Sequence, residues 1–132
     1  MSNVINNTPY ANSSDVVQAK SSPARYIQKQ VSLINPANEL KVIIDGNLPP
    51  GTSINAYYKV GQSSIAEQAE WKRLPLDGAL QYTSDPTKFF TQRFAKEFTS
   101  EFQVFAVMID LVSSDKTRVP RMKDYRALAL NV

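Results

Sequence analysis

The sequence predicts an all-β domain, an antiparallel β-sandwich preceded by an extended amino-terminal arm. Three observations carry this reading. Apolar residues alternate with polar ones in several separate stretches, the period of a half-buried strand. The stretch Phe102 to Leu111, FQVFAVMIDL, is apolar on both parities, as a central strand covered on two faces would be. Residues 1–22 show no period at all.

The arm, MSNVINNTPYANSSDVVQAKSS, is rich in Asn, Ser and small residues and carries scattered apolar ones at Val4, Ile5, Tyr10, Val16 and Val17. A segment of this composition does not bury enough apolar surface to fold alone. It reads as an arm that orders on a neighbouring subunit, with those five residues as its contacts. The sandwich then covers residues 23–132.

After Pro23, the stretch Arg25 to Leu33 alternates, with Ile27, Val31 and Leu33 on one face and Tyr26, Gln28, Gln30 and Ser32 on the other. Lys29 falls on the apolar parity, which suits an edge strand or a stem that snorkels past the core. Asn35-Pro36-Ala37-Asn38 reads as a turn, with Pro36 at its second position. Two further strands follow in Glu39 to Val60. Leu40, Val42 and Ile44 share one parity in the first, and Ile54, Ala56, Tyr58 and Val60 share one in the second. Between them, Pro49 and Pro50 fix φ, while Gly46 and Gly51 permit the angles a reversal needs, so a stiff corner of a β-meander is expected. Asp45-Gly46-Asn47 reads as an Asx-rich turn, because the further oxygen ligands of an EF-hand calcium loop are missing.

Trp71 to Leu74 reads as irregular, its two apolar residues being three apart, and Trp71 as a core plug. Phe90, Phe94 and Phe98 are spaced by four. That spacing is helical, with Ser84 or Asp85 before Pro86 as a fitting helix start, whereas the density of Phe with Thr87 and Thr91 argues for a strand, and the β pattern on either side tips the reading to a strand. Asp110 interrupts the central strand and is expected at its solvent end or beside a basic residue such as Arg121 or Arg126. A loop over Ser113 to Lys123 leads to the last strand, Tyr125 to Val132. Seven or eight strands are expected in all, a number in line with sandwiches of this length.

The chain has 132 residues, no Cys and no His, 15 basic and 12 acidic side chains, and a formal charge of +3. Without Cys there is neither a disulfide framework nor a thiolate metal site. Without His the commonest general base and transition-metal ligand are gone, so no catalytic residue, cofactor or metal site is assigned. No apolar run approaches the ~20 residues of a membrane span, and the first residues lack the basic-then-apolar pattern of a signal peptide. No membrane association or export is expected.

The most concentrated charge is Lys116, Arg118, Arg121, Lys123 and Arg126 against Asp115 and Asp124, five positive and two negative. Backbone-tracking nucleic-acid surfaces carry a larger basic excess, so no nucleic acid is expected. Lys116, Arg118, Arg121 and Lys123 are instead read as a basic loop that adds charge complementarity to a protein contact.

The succession SPARYIQKQVSL, NPANELKVIIDGNLPPGTSINAYYKV, EWKRLPLDG, the Phe-rich segment, FQVFAVMIDLVSSD and TRVPRMKDYRALAL resembles a β-sandwich module of virion structural proteins of tailed bacteriophages, over roughly Ser22 to Val132. The resemblance implies a jelly-roll-like or Ig-like sandwich that docks onto baseplate or tail subunits in a symmetric assembly, located in the virion and assembled in the host cytoplasm. It carries no catalytic residue. The alternative is a carbohydrate-binding sandwich contacting the host surface, with Trp71, Tyr57 and Tyr82 as stacking rings.

Overall fold

The structure, a computed structural model, describes residues 24–66, 68–114 and 117–132. It is all-β, as the sequence predicts. Six strands are present among these residues: β1 (Ala24–Ile27), β2 (Val31–Asn47), β3 (Thr52–Gly61), β4 (Lys72–Leu74), β5 (Phe90–Ser113) and β6 (Arg121–Leu130). They form one antiparallel sheet in the order β4-β3-β5-β2-β6, with β1 paired to β5 beside this path.

The sheet closes over its own core because β5 belongs to two layers. Its first part, Phe90 to Glu97, pairs with Gly46 to Glu39 of β2, which in turn pairs with β6. Its second part, Val104 to Ser113, pairs with β3 on one edge and with β1 on the other. Leu40, Val42 and Ile44 of β2 and Phe94 of β5 meet Ile54, Ala56 and Tyr58 of β3 and Phe105, Val107 and Ile109 of β5 in one buried cluster. This is the sandwich: two faces of one bent sheet, each hiding its apolar parity from water.

The bend is built from two compensating bulges. Between Ser32 and Ala37 strand β2 advances five residues while β5 moves only from Val104 to Phe102; from Ala37 to Glu39 β2 advances two while β5 runs from Phe102 to Glu97. Three extra residues on each strand reverse which parity points inward. On β5 the inward set accordingly changes from Gln92 and Phe94 to Phe105, Val107 and Ile109. Phe98, Phe102 and Phe105 line this corner edge to face, at 5.2 Å and 6.3 Å between centroids, and Tyr58 meets Phe98 at 5.2 Å.

Several sequence expectations are corrected. Asn35 to Asn38 does not end a strand but lies inside β2, at its bulge. β2 and β3 are not meander neighbours, since β5 stands between them, and the Pro-Pro-Gly corner carries the chain from one layer to the other. Lys72 to Leu74 is a strand, paired with Ala56 to Tyr58. The Phe-rich segment and the central strand are one 24-residue strand, so the strands number six among the described residues and not seven or eight. The first alternating stretch is interrupted after Ile27, and Lys29, between β1 and β2, is exposed.

The corner itself is a type II turn. Thr52 N donates to Pro49 O at 3.2 Å, Pro50 takes the second position, and Gly51 the third at φ 91°, which a side chain would strain. Gly46 needs no such angle. It is small because a Cβ there would lie 3.1 Å from Ile54 Cδ1.

Candidate functional site

Four surface features collect the polar and aromatic residues that could act. The first is β1. All four of its residues are exposed, including Tyr26 at 42% and Ile27 at 47%, and it follows directly on the arm. Its anchorage is largely polar. Arg25 Nε donates to Asp110 Oδ1 at 2.8 Å and its Nη2 to Oδ2 at 3.2 Å, a two-pronged pair that satisfies a carboxylate on a buried residue. Asp110 is thus partnered by Arg25, not by Arg121 or Arg126. Tyr26 also meets Tyr125 of β6 edge to face at 5.2 Å, and Tyr125 donates its hydroxyl to Gln28 Oε1 at 2.7 Å. Burial pushes the Tyr125 phenol well above its ordinary range, so it stays a neutral donor in this contact.

The second feature is the corner with the basic loop. Lys116 and the arm residues Val4, Ile5, Tyr10, Val16 and Val17 lie outside the described residues. Of the loop's other cations, Arg118 donates from Nη1 to Pro50 O at 2.6 Å, and Ser114 donates through its N and Oγ to Gly51 O at 3.2 Å and 3.0 Å. Arg121 donates to Pro86 O and lies 5.4 Å from the Phe89 ring centre, with Lys123 Nζ at 5.1 Å from the same ring. The predicted loop does not present its charges together: Arg118 clamps the corner, while Arg121 and Lys123 belong to strand β6 and lie against Phe89.

The loop that holds Phe89 is itself fastened from inside by two buried carboxamides. Asn47, 3% exposed, donates to Asp85 O at 2.9 Å and Lys88 O at 2.7 Å. Gln92, 1% exposed, accepts from Gln81 N at 3.0 Å and donates to Gln81 O at 3.1 Å, imitating a strand neighbour. Asp45-Gly46-Asn47 is therefore the end of a strand plus a clip, and not a free Asx turn. Within the loop the Asp85 carboxylate accepts from Thr87 N and Oγ1, which holds it below its ordinary range.

The third feature is the outer face of β3 and β4. Lys59 Nζ sits 4.6 Å from the Trp71 ring and the Arg73 guanidinium 5.9 Å from Tyr57, an alternation of cation and ring across the two strands. Arg73 also donates to Asn55 Oδ1 at 2.6 Å. Trp71 is partly exposed and lies outside the core cluster, so it is no core plug. Trp71 and Tyr57 share this face, whereas Tyr82, 46% exposed, belongs to the separate loop clipped by Gln92.

The fourth is a small open cleft lined by Ile43, Asp45, Asp124, Tyr125 and Arg126. Asp45 and Asp124 are directly opposite in the ladder, a like-charge pairing that costs stability. Thr91 Oγ1 donates to Asp45 Oδ1 at 3.0 Å. Asp110 is not part of this cleft; it pairs across the sheet with Asn55 and Arg25 in the second part of β5. Among the described residues no group of three or more His, Cys, Asp or Glu is placed to hold a metal, and no helix is long and apolar enough to cross a membrane.

The chain matches no family model, no curated protein and no solved structure. Sequence reasoning missed the clips, which depend on pairing across the sheet; the one signal available was the Asn and Gln set among apolar strand residues.

Proposed function

We propose that the chain is a structural docking protein of a virus particle of the tailed-bacteriophage type, held to neighbouring baseplate or tail subunits by its amino-terminal arm and surface loops. The observation that carries this reading is β1. A four-residue strand with every residue exposed gains little from its own burial, yet it carries Tyr26 and Ile27 at the point where the arm joins the sheet. A partner covering that edge would bury both side chains, each contributing roughly 1–2 kcal/mol. The succession of strands and turns that resembles the phage module supplies the setting.

The arm orders on assembly, and the cost in chain entropy is offset by contacts through Val4, Ile5, Tyr10, Val16 and Val17. Arg121 and Lys123, both near the Phe89 ring, give the neighbouring loop an aromatic surface with two positive charges beside it. A second reading, a carbohydrate-binding sandwich, draws on Trp71 and Tyr57 sharing one face, but the cations over both rings compete with a sugar for them.

Deleting Met1 to Ser22 tests the proposal. The shortened chain is expected to unfold in urea within about 0.5 kcal/mol of the full chain and to stay in the supernatant when particles are sedimented. Incorporation at the full-length level would refute the arm's role.

A further inference from the structure

We infer that β6 is a self-complementary edge through which two copies of this chain join their sheets about a two-fold axis at Tyr125. Among the described residues β6 ends the strand order and is paired with β2 alone. Over its ten residues the side away from β2 has no strand neighbour among the described residues. Its first six residues carry Arg121, Lys123, Asp124 and Arg126, the charges that usually guard an edge, whereas Ala127 to Leu130 carry none and are only half-buried. This inference stands on β6 and does not need the arm.

The occupant follows from register and charge. Tyr125, Ala127 and Ala129 pack toward the core, while Asp124 and Arg126 are exposed opposite Asp45 and Ile43. An added antiparallel strand must keep inward residues opposite inward ones, so a two-fold axis has to pass through a residue and not between two. Centring on Asp124 or Arg126 would set like charges face to face. Centring on Ala127 or Leu128 would set Arg126 against leucine. The alternation runs unbroken only from Asp124 onward, because β6 bulges between Met122 and Asp124, and within this run only Tyr125 places Asp124 of each copy opposite Arg126 of the other, twice over.

Among the described residues Asp124 and Arg126 have no ion-pair partner, and Asp124 faces the repelling Asp45. An arginine from a second copy would relieve that repulsion. The Tyr125 ring is turned inward, to Tyr26 and Gln28, so pairing of its main chain leaves that contact in place.

Sedimentation equilibrium of the full chain over a concentration series tests this. The native chain is expected to form dimers. Asp124→Arg and Arg126→Asp are each expected to weaken dimerisation by roughly tenfold or more, because each turns two attractive pairs into repulsive ones. The double variant carrying both changes restores complementarity and should return to within about threefold of native. Circular dichroism confirms that each variant is folded, and the double variant keeps the test decisive if one single variant is not. A native chain that stays monomeric at every concentration, a dimer indifferent to the single changes, or a double variant as weak as the singles would overturn the inference. None of these results bears on the arm deletion, so the two readings fail separately.

Discussion

Phe102→Ala is expected to destabilise the domain by about 3–5 kcal/mol, a large part of the stability of a chain this size. Phe102 is 2% exposed and stands between Phe98 and Phe105 where β5 bends from one layer into the other. Removing its ring takes away buried apolar area and leaves a cavity in a corner that two bulged strands hold in place, so little can collapse to fill it. Urea unfolding should show a lower midpoint with an unchanged slope. Ile34, 94% exposed on the same corner of β2, supplies the contrast: Ile34→Ala should change stability by no more than about 0.5 kcal/mol. Equal effects at the two positions would contradict the placement of the core.

Gln92→Glu is expected to cost about 3 kcal/mol at neutral pH. The side chain is 1% exposed, and its Nε2 donates to the Gln81 carbonyl. A glutamate there loses that donor and buries a charge beside a carbonyl oxygen. Burial would raise the folded-state pKa of the new carboxyl above the unfolded value of about 4.3. The penalty is therefore full above the folded pKa and fades as pH falls toward and below 4.3, when the group protonates in both states. Unfolding midpoints measured from pH 4 to pH 8 should show the variant regaining stability relative to the native chain at the acid end. A loss independent of pH would mean that the clip is not buried.

The strands were legible in the sequence where one parity stays inward. Leu40, Val42 and Ile44 and then Ile54, Ala56 and Tyr58 read as strands and are buried as read. The double apolar run from Phe102 to Leu111 marked the shared centre, and its two parities are buried on two faces. Local pattern could not show how these strands pair. The change of parity between Leu33 and Leu40 signals a break, but a turn and a three-residue bulge break the pattern alike, and only the partner strand decides between them. For the same reason the Phe spacing of four hid a strand that continues through the bend.

The surface was less legible than the core. The basic cluster reads as one patch along the chain, yet Arg118 bonds the Pro50 carbonyl while Arg121 and Lys123 lie against Phe89, a residue more than thirty positions earlier. Trp71 looked like core because large rings usually are; the register of β4 on β3 instead sets it beside Lys59 on the outer face. Asp110 needed a cation, as its burial demanded, and the partner came from β1, whose own pairing with β5 brings Arg25 opposite.

The claim that matters most is that residues before Ala24 serve contacts between chains. Its most direct test is a photo-crosslinking residue in place of Tyr10, activated in assembled particles and mapped by mass spectrometry. The proposal predicts adducts to a neighbouring chain, whether another copy or a different subunit. Adducts confined to the same chain, at yields equal in particles and in dilute protein, would contradict it.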